Sequence, residues 1–229
     1  MKTLPLCLSH RGILGGLVLS VALLAATPQA RACTTTIVTP GASADGCMMV
    51  SHSDDNDLDD QSIVYVPARD WPEGSQRPVH ATAAAIGDLP QFNAFELPRM
   101  VDPERAPGYA HPDEKPSIPI GHIPQVAHTY AYLDGTYGIM NEHGLMFGEC
   151  TDGAFVSNGP EPGKRLFYSS ELSRVALERT RTAREAIQLM GELIETYGYY
   201  GPGREAACRA VFGTWGFFRT MHGKTAPSC

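Results

Sequence analysis

The sequence predicts an α+β fold in which short strands come first and a pair of helices follows. Residues 34–66 and 127–149 contain short β-branched or apolar runs separated by glycine turns, a pattern typical of antiparallel strands. Residues 169–197 place apolar side chains at helical spacing. Strands that precede a helical pair favour a layered fold. The chain of 229 residues is long enough to bury the core of such a domain.

The first strands predict a hairpin that begins at Cys33. Residues 34–38 read Thr-Thr-Thr-Ile-Val, and β-branched residues favour strands. Asp45-Gly46 is a turn signal, and residues 48–52 then predict the returning strand. A hairpin of this length brings residues 52–55 back toward Cys33.

The remaining elements follow in the same order. A strand over residues 62–66 leads into residues 67–124, which are rich in Pro, Gly and His and are predicted to be irregular. A capping box from Thr182 to Glu185 opens the second helix, and Gly198 ends it. Further short strands joined by glycine turns are predicted at residues 127–133, 137–140 and 145–149.

The first 32 residues predict a signal peptide. They carry basic residues but no acidic one, and the apolar run over residues 13–26 is shorter than the roughly 20 residues that span a bilayer. Ala30-Arg31-Ala32 then forms a small-x-small cleavage site. We therefore expect an exported protein, periplasmic or extracellular, whose mature chain begins at Cys33. A lipid anchor on Cys33 is the alternative, which Ala30 disfavours because lipoprotein sites usually carry a large aliphatic residue there.

Charge and motif content exclude several functions. Residues 33–229 carry 15 basic and 25 acidic residues, whereas nucleic acids and anionic lipids require clustered Lys and Arg. We expect neither nucleic-acid binding nor membrane docking. The sequence contains no motif of zinc peptidases, of serine hydrolases or of dinucleotide-binding enzymes. The acidic run over residues 54–60 lacks the glycine and glutamate of a calcium loop. We expect no metal and no organic cofactor.

An N-terminal cysteine carries a nucleophile and a base on one residue. A thiol has a pKa of about 8.5 and an α-amino group one of about 7.7 to 8. The amine can take the thiol proton and later pass it to a leaving amine, so no separate catalytic histidine is needed. Asp54 and Asp55, which the hairpin directs toward Cys33, are candidates to hold the α-ammonium of a peptide substrate or to orient the Cys33 amine.

A set of motifs spread over most of residues 33–203 resembles one family of hydrolases. The motifs are Cys33-Thr34-Thr35, Ala42-Ser43-Ala44-Asp45-Gly46, Ser51-His52-Ser53-Asp54-Asp55, Thr129-Tyr130-Ala131-Tyr132, Tyr137-Gly138-Ile139-Met140-Asn141-Glu142 and Gly148-Glu149-Cys150-Thr151. Together they resemble the dipeptidases related to secernin, which are N-terminal-nucleophile cysteine hydrolases. The resemblance continues through the helices to Tyr199-Tyr200-Gly201.

The resemblance implies an αββα sandwich, removal of the leader to expose Cys33, and hydrolysis of dipeptides with broad specificity. Cys33 matches the nucleophile of the family, and Asp55 matches the acidic position that faces the nucleophile's amine. His52 stands where many relatives carry Arg, so its role stays open. Asn141 and the strand that contains Glu149 are candidates to line the pocket or to stabilise the oxyanion. A turn-forming role is the alternative for Asn141.

The end of the chain departs from the family pattern. Members of the family are roughly twice this length, and the second sheet of the sandwich needs more chain. Residues 204–229 show no clear strand alternation. We expect a signal peptide at 1–32, the N-terminal part of the hydrolase domain at 33–203, and a divergent tail at 204–229, truncated or frameshifted, that leaves the sandwich incomplete.

The sequence favours an exported cysteine dipeptidase with small peptides as its partners. One alternative is an N-acyl amide hydrolase of the same fold. Another is a truncated secreted protein without turnover. The sequence leaves the oligomeric state and the preferred side chains of the substrate open.

Overall fold

The computed structural model describes residues 33–55, 62–81, 100–153, 159–161, 163–200, 205–213 and 216–220. Over these residues the fold combines sheet and helix, so the predicted α+β class is confirmed. The predicted signal peptide lies outside the described residues. No helix within the described ranges is both long and apolar enough to cross a membrane.

The first two strands form the predicted hairpin. β1 (Thr34–Val38) pairs antiparallel with β2 (Met49–Ser53), and Thr34 lies opposite Ser53. Gly46 in the connecting loop has a φ of +74°, a conformation that glycine adopts readily because it has no Cβ. The pairing register sets residues 52–55 beside Cys33, as the sequence predicts.

A six-stranded antiparallel sheet forms the centre of the domain. In spatial order its strands are β12 (Gly216–Thr220), β11 (Glu205–Gly213), β10 (Met146–Gly153), β9 (Gly138–Asn141), β8 (Tyr132–Asp134) and β3 (Val64–Val66). Two small sheets pair β4 (Arg69–Asp70) with β7 (His128–Thr129) and β5 (Gln76–Val79) with β6 (Gly121–Pro124).

Two stretches that the sequence predicts without strands contain them. Within residues 67–124, β5 pairs with β6. Beyond residue 203, β11 pairs with β10 along its length, and β12 pairs with β11. Pairing with a distant strand gives backbone N–H and C=O groups their hydrogen-bond partners. This tertiary contribution outweighs a weak local sequence pattern. The boundary between family sequence and tail at residue 203 stays a prediction.

Two helices confirm the predicted helical pair. They are α1 (Ser169–Arg179) and α2 (Ala183–Tyr197). The predicted capping box is present, because the Glu185 amide donates to Thr182 Oγ1 at 3.3 Å and the Thr182 amide donates to the Glu185 carboxylate at 3.2 Å. Gly198 ends α2 with a φ of +75°, and a Cβ at this position would collide with the Lys164 carbonyl.

The helices and the hairpin lie on opposite faces of the six-stranded sheet. A Cβ on Gly138 would meet Leu177 of α1, whereas a Cβ on Gly148 would collide with Thr35 of β1. Between the sheet and the helices lies the apolar core, whose buried members include Val64, Val66, Tyr132, Leu145, Phe147, Leu172, Val175, Leu177 and Met190. Each of these large side chains contributes roughly 1.5–3 kcal/mol through burial.

The described residues thus form three layers: helices, central sheet and hairpin. We call the sheet face that carries the hairpin the outer face. The second helical layer of the expected αββα sandwich is not among the described residues, so the complete sandwich stays a prediction.

Candidate active site

The hairpin brings the candidate nucleophile next to a carboxylate. The Sγ atom of Cys33 lies 3.9 Å from Oδ1 of Asp54. The backbone amide of Thr34 donates to Oγ of Ser53 at 3.1 Å, which ties the start of β1 to the end of β2. The predicted return of the chain toward Cys33 is therefore confirmed at the level of side-chain contact.

Thr35 connects the hairpin to the central sheet. Its Oγ1 lies 3.3 Å from Nδ1 of His52, donates to the carbonyl oxygen of Glu149 at 3.3 Å, and accepts from the Cys150 thiol at 3.4 Å. Because the single hydroxyl proton goes to Glu149, the contact with His52 requires a proton on Nδ1. Gly148 lies beneath Thr35 and has no side chain to hold the hairpin away.

The negative charges of three carboxylates influence the pKa of the Cys33 thiol. Burial raises the pKa of this thiol, and the negative charges of Glu149, Asp54 and Asp55 raise it further, although a backbone hydrogen bond from Asp55 acts in the opposite direction. Glu149 is buried, Asp54 is half-buried and Asp55 is exposed. The surroundings therefore oppose a thiolate and favour a positively charged group.

A cavity of about 410 Å³ opens beside these groups. We call it the hairpin pocket. Its polar end holds His52, Asp54 and Glu149, and its apolar wall is formed by Val50, Ile63, Ile139, Met140, Met146 and Phe147. The volume lies in the lower part of the roughly 300–1,000 Å³ range of small-molecule sites. The pocket can therefore hold a small ligand that combines charged and apolar groups.

Asn141 is separate from the hairpin pocket, in the turn between β9 and β10. Its Nδ2 donates to the carbonyl oxygens of Leu177 and Thr180, at 3.0 and 2.8 Å. Its Oδ1 accepts from the amides of His143 and Leu145, at 3.0 and 3.1 Å. These four bonds use the whole hydrogen-bonding capacity of the amide. The structure therefore favours the turn-forming role of Asn141 over a role in the pocket.

Of the six predicted site residues, four come together. Asp54 contacts the Cys33 thiol. Asp54, His52 and Glu149 line the hairpin pocket. Asp55 is adjacent in sequence but its side chain is exposed. No group of three or more His, Cys, Asp or Glu residues in the described part of the chain is arranged to hold a metal ion.

The sequence motifs indicate no role for Thr35, for Gly148 or for the apolar wall of the hairpin pocket. Thr35 was detectable in principle, because alternate residues of a strand share a face and Thr35 therefore lies on the face of Cys33. Gly148 and the apolar wall were not detectable, since they depend on which strand the hairpin covers.

Known protein families provide a further observation. The model of Peptidase family C69 matches residues 151–207, a segment that contains α1, α2 and the start of β11. The chain is similar to these cysteine peptidases. This match confirms the resemblance to the family of dipeptidases related to secernin, and it supports a peptidase as the class of enzyme. Cys33 and the hairpin pocket lie outside the matched segment. No curated protein matches the chain.

Proposed function

We propose that the protein is an exported cysteine peptidase that hydrolyses dipeptides, with Cys33 as its N-terminal nucleophile. The observation that carries this proposal is the contact of the Cys33 thiol with Asp54, at the polar end of the hairpin pocket. The similarity to Peptidase family C69 supports the class of reaction.

The reaction begins when the Cys33 thiol gives its proton to its own α-amine. The thiolate attacks the carbonyl carbon of the peptide bond, and a carbon–sulfur bond forms. The carbon–nitrogen bond then breaks, and the leaving amine takes the proton from the α-ammonium. Water attacks the resulting thioester, which releases the first amino acid of the dipeptide and restores the thiol.

Cleavage of the chain before Cys33 would activate the site in two ways. It creates the amine that serves as the base. It also adds a positive charge among Asp54, Asp55 and Glu149, whose negative charges oppose a thiolate in the uncleaved chain. The ammonium that forms when the thiol loses its proton is the group these carboxylates stabilise. Leader removal and activation are therefore one event in this proposal.

The polar end of the pocket also influences which substrates bind. Asp54 and Glu149 are acidic, so they favour a substrate that presents a free α-ammonium over one whose amine is acylated. Dipeptides are therefore favoured over the N-acyl amides of the alternative hydrolase.

The test is turnover of dipeptides by protein expressed from the full chain. We expect Cys33→Ala to lower kcat/KM by at least about a hundredfold, because covalent catalysis loses its nucleophile. Cys47→Ala is the matched control, since Cys47 is an exposed cysteine in the hairpin loop, and it should retain activity. N-acetylated dipeptides should react slowly. Full turnover by the Cys33→Ala variant would contradict the proposal.

A further inference from the structure

We infer that the hairpin pocket selects the first side chain of the substrate, accepting apolar side chains and rejecting acidic ones. The inference rests on the proposed function, because the pocket determines specificity only if Cys33 attacks the bond that follows this side chain.

Two members of the apolar wall, Met140 and Met146, lie on the outer face of the sheet, because Met146 is two residues before Gly148, whose Cβ position faces Thr35 of the hairpin. Met140 of β9 lies directly opposite Met146 of β10, and opposite residues of antiparallel strands point to the same face. The pairing register between β8 and β9 shifts in this region, so strict alternation of faces does not hold here. Ile139 and its neighbour Met140 therefore both line the pocket. Ile63, just before β3, completes this side, and 69% of its surface is exposed. The wall therefore offers accessible apolar surface to a ligand.

Strand β2 supplies the opposite side of the pocket. Val50 and His52 alternate along β2 and share a face, and Asp54 follows just beyond the strand end. Asp54 contacts the Cys33 thiol, whereas Val50 lies opposite Ile37, far from the start of β1. The pocket is thus acidic next to the nucleophile and apolar away from it.

This change from an acidic to an apolar lining suits a first substrate residue that has a free α-ammonium and an apolar side chain. An α-ammonium suits the acidic end, and an apolar side chain suits the surface of Ile63, Met140 and Met146. An acidic side chain would meet the negative charges of Asp54 and Glu149 and find no lysine or arginine among the described residues that line the pocket. Each methylene group that fits an apolar pocket changes the specificity constant by roughly 10- to 200-fold.

The first experiment compares kcat/KM for Leu-Ala and Glu-Ala, using protein expressed from the full chain at pH 7. We expect Leu-Ala to be preferred by at least about tenfold. Ile63→Lys puts a cation on the apolar wall and should move this ratio toward Glu-Ala by about tenfold. Ile118→Lys is the matched control, because Ile118 is 59% exposed and does not line the pocket. It should leave the ratio unchanged.

A second pair of variants tests apolar contact without a new charge. Met140→Ala should lower kcat/KM for Leu-Ala and leave that for Gly-Ala nearly unchanged. Met49→Ala is its control, since Met49 is 50% exposed and does not line the pocket. Equal turnover of Leu-Ala and Glu-Ala, or an Ile63→Lys variant with the wild-type ratio, would overturn the inference.

The Cys33→Ala variant separates failure of the inference from failure of the proposed function. If turnover depends on Cys33 but is indifferent to the first side chain, only the specificity inference fails. If turnover persists without Cys33, or no dipeptide is hydrolysed, the proposed function fails together with the inference.

Discussion

At the scale of single residues, Thr35 links strand β1, which follows Cys33, to the sheet beneath it. One hydroxyl group contacts His52, the Glu149 carbonyl and the Cys150 thiol. A methyl group in its place would make none of these hydrogen bonds, although the side chain would keep its shape. Thr35 is therefore a positioning residue, which acts on the site through His52 and through the seating of β1 on β10.

Thr35→Val tests this role. We expect kcat/KM for dipeptides to fall about tenfold or more, because the loss removes the hydroxyl donor to the Glu149 carbonyl and the contact with His52. Thr35→Ser keeps the hydroxyl and should restore most of the activity. The pH profile of kcat/KM should shift in the valine variant only, a change that loss of packing alone would not produce. Equal activity of the two variants would contradict the role of the hydroxyl.

The carboxylates around Cys33 lead to a second prediction at this scale. Asp54 contributes to the raised pKa of the Cys33 thiol, so Asp54→Asn should lower that pKa. The pH midpoint for alkylation of Cys33 by iodoacetamide, followed by mass spectrometry of the Cys33 peptide, should therefore move to lower pH. Asp113→Asn, which changes an exposed carboxylate far along the chain, is the control. A midpoint that rises in Asp54→Asn would show that Asp54 does not act on the thiol as a negative charge.

At the scale of elements, a buried ion-pair network attaches strand β5 to helix α1. Arg77 is 2% exposed and donates two hydrogen bonds to Glu178, at 2.6 and 2.9 Å, and one to Glu171 at 2.7 Å. Arg105 and Arg174 also contact Glu171. Burial raises the pKa of Glu171, but the charges of the three arginines outweigh it and hold this pKa well below its usual range.

Arg77→Met should lower the free energy of unfolding by about 3–5 kcal/mol, because it removes the arginine that pairs with the buried Glu178 and one of the three arginines around Glu171. Arg69→Met is the matched control: Arg69 is exposed on β4, and the loss of its stacking on Trp71 should cost no more than about 1 kcal/mol. Urea unfolding of the two variants measures both values. Equal destabilisation would mean that the network does not stabilise the fold in this way.

Local signals in the sequence predicted some elements and not others. The hairpin turn, the capping box at Thr182 and the glycine at position 198 depend on residues only a few positions apart. Their patterns can therefore be recognised in the sequence. The partners of Arg77 lie about a hundred positions away in the sequence, and the residues around Arg77 do not indicate which they are. The pairing of β11 with β10 is equally non-local, and for this reason a stretch predicted without strands forms two.

At the scale of the whole molecule, the three layers determine what the candidate site can contain. The helices cover one face of the sheet, and the hairpin covers only part of the other face, over β10. The hairpin pocket lies where that cover ends, between β2 and the outer face. Of the site predicted from the sequence, Cys33, His52, Asp54 and Glu149 converge here, whereas Asn141 is used in a turn.

We propose above all that cleavage of the chain before Cys33 makes Cys33 the nucleophile. The most direct measurement is the N-terminal sequence and intact mass of dipeptide-hydrolysing protein produced from the full chain, combined with identification of the cysteine that iodoacetamide labels fastest. We expect a chain that begins at Cys33, with Cys33 labelled first and activity lost in proportion to labelling. Active protein that retains residues before Cys33, or that keeps its activity after Cys33 is labelled, would contradict it.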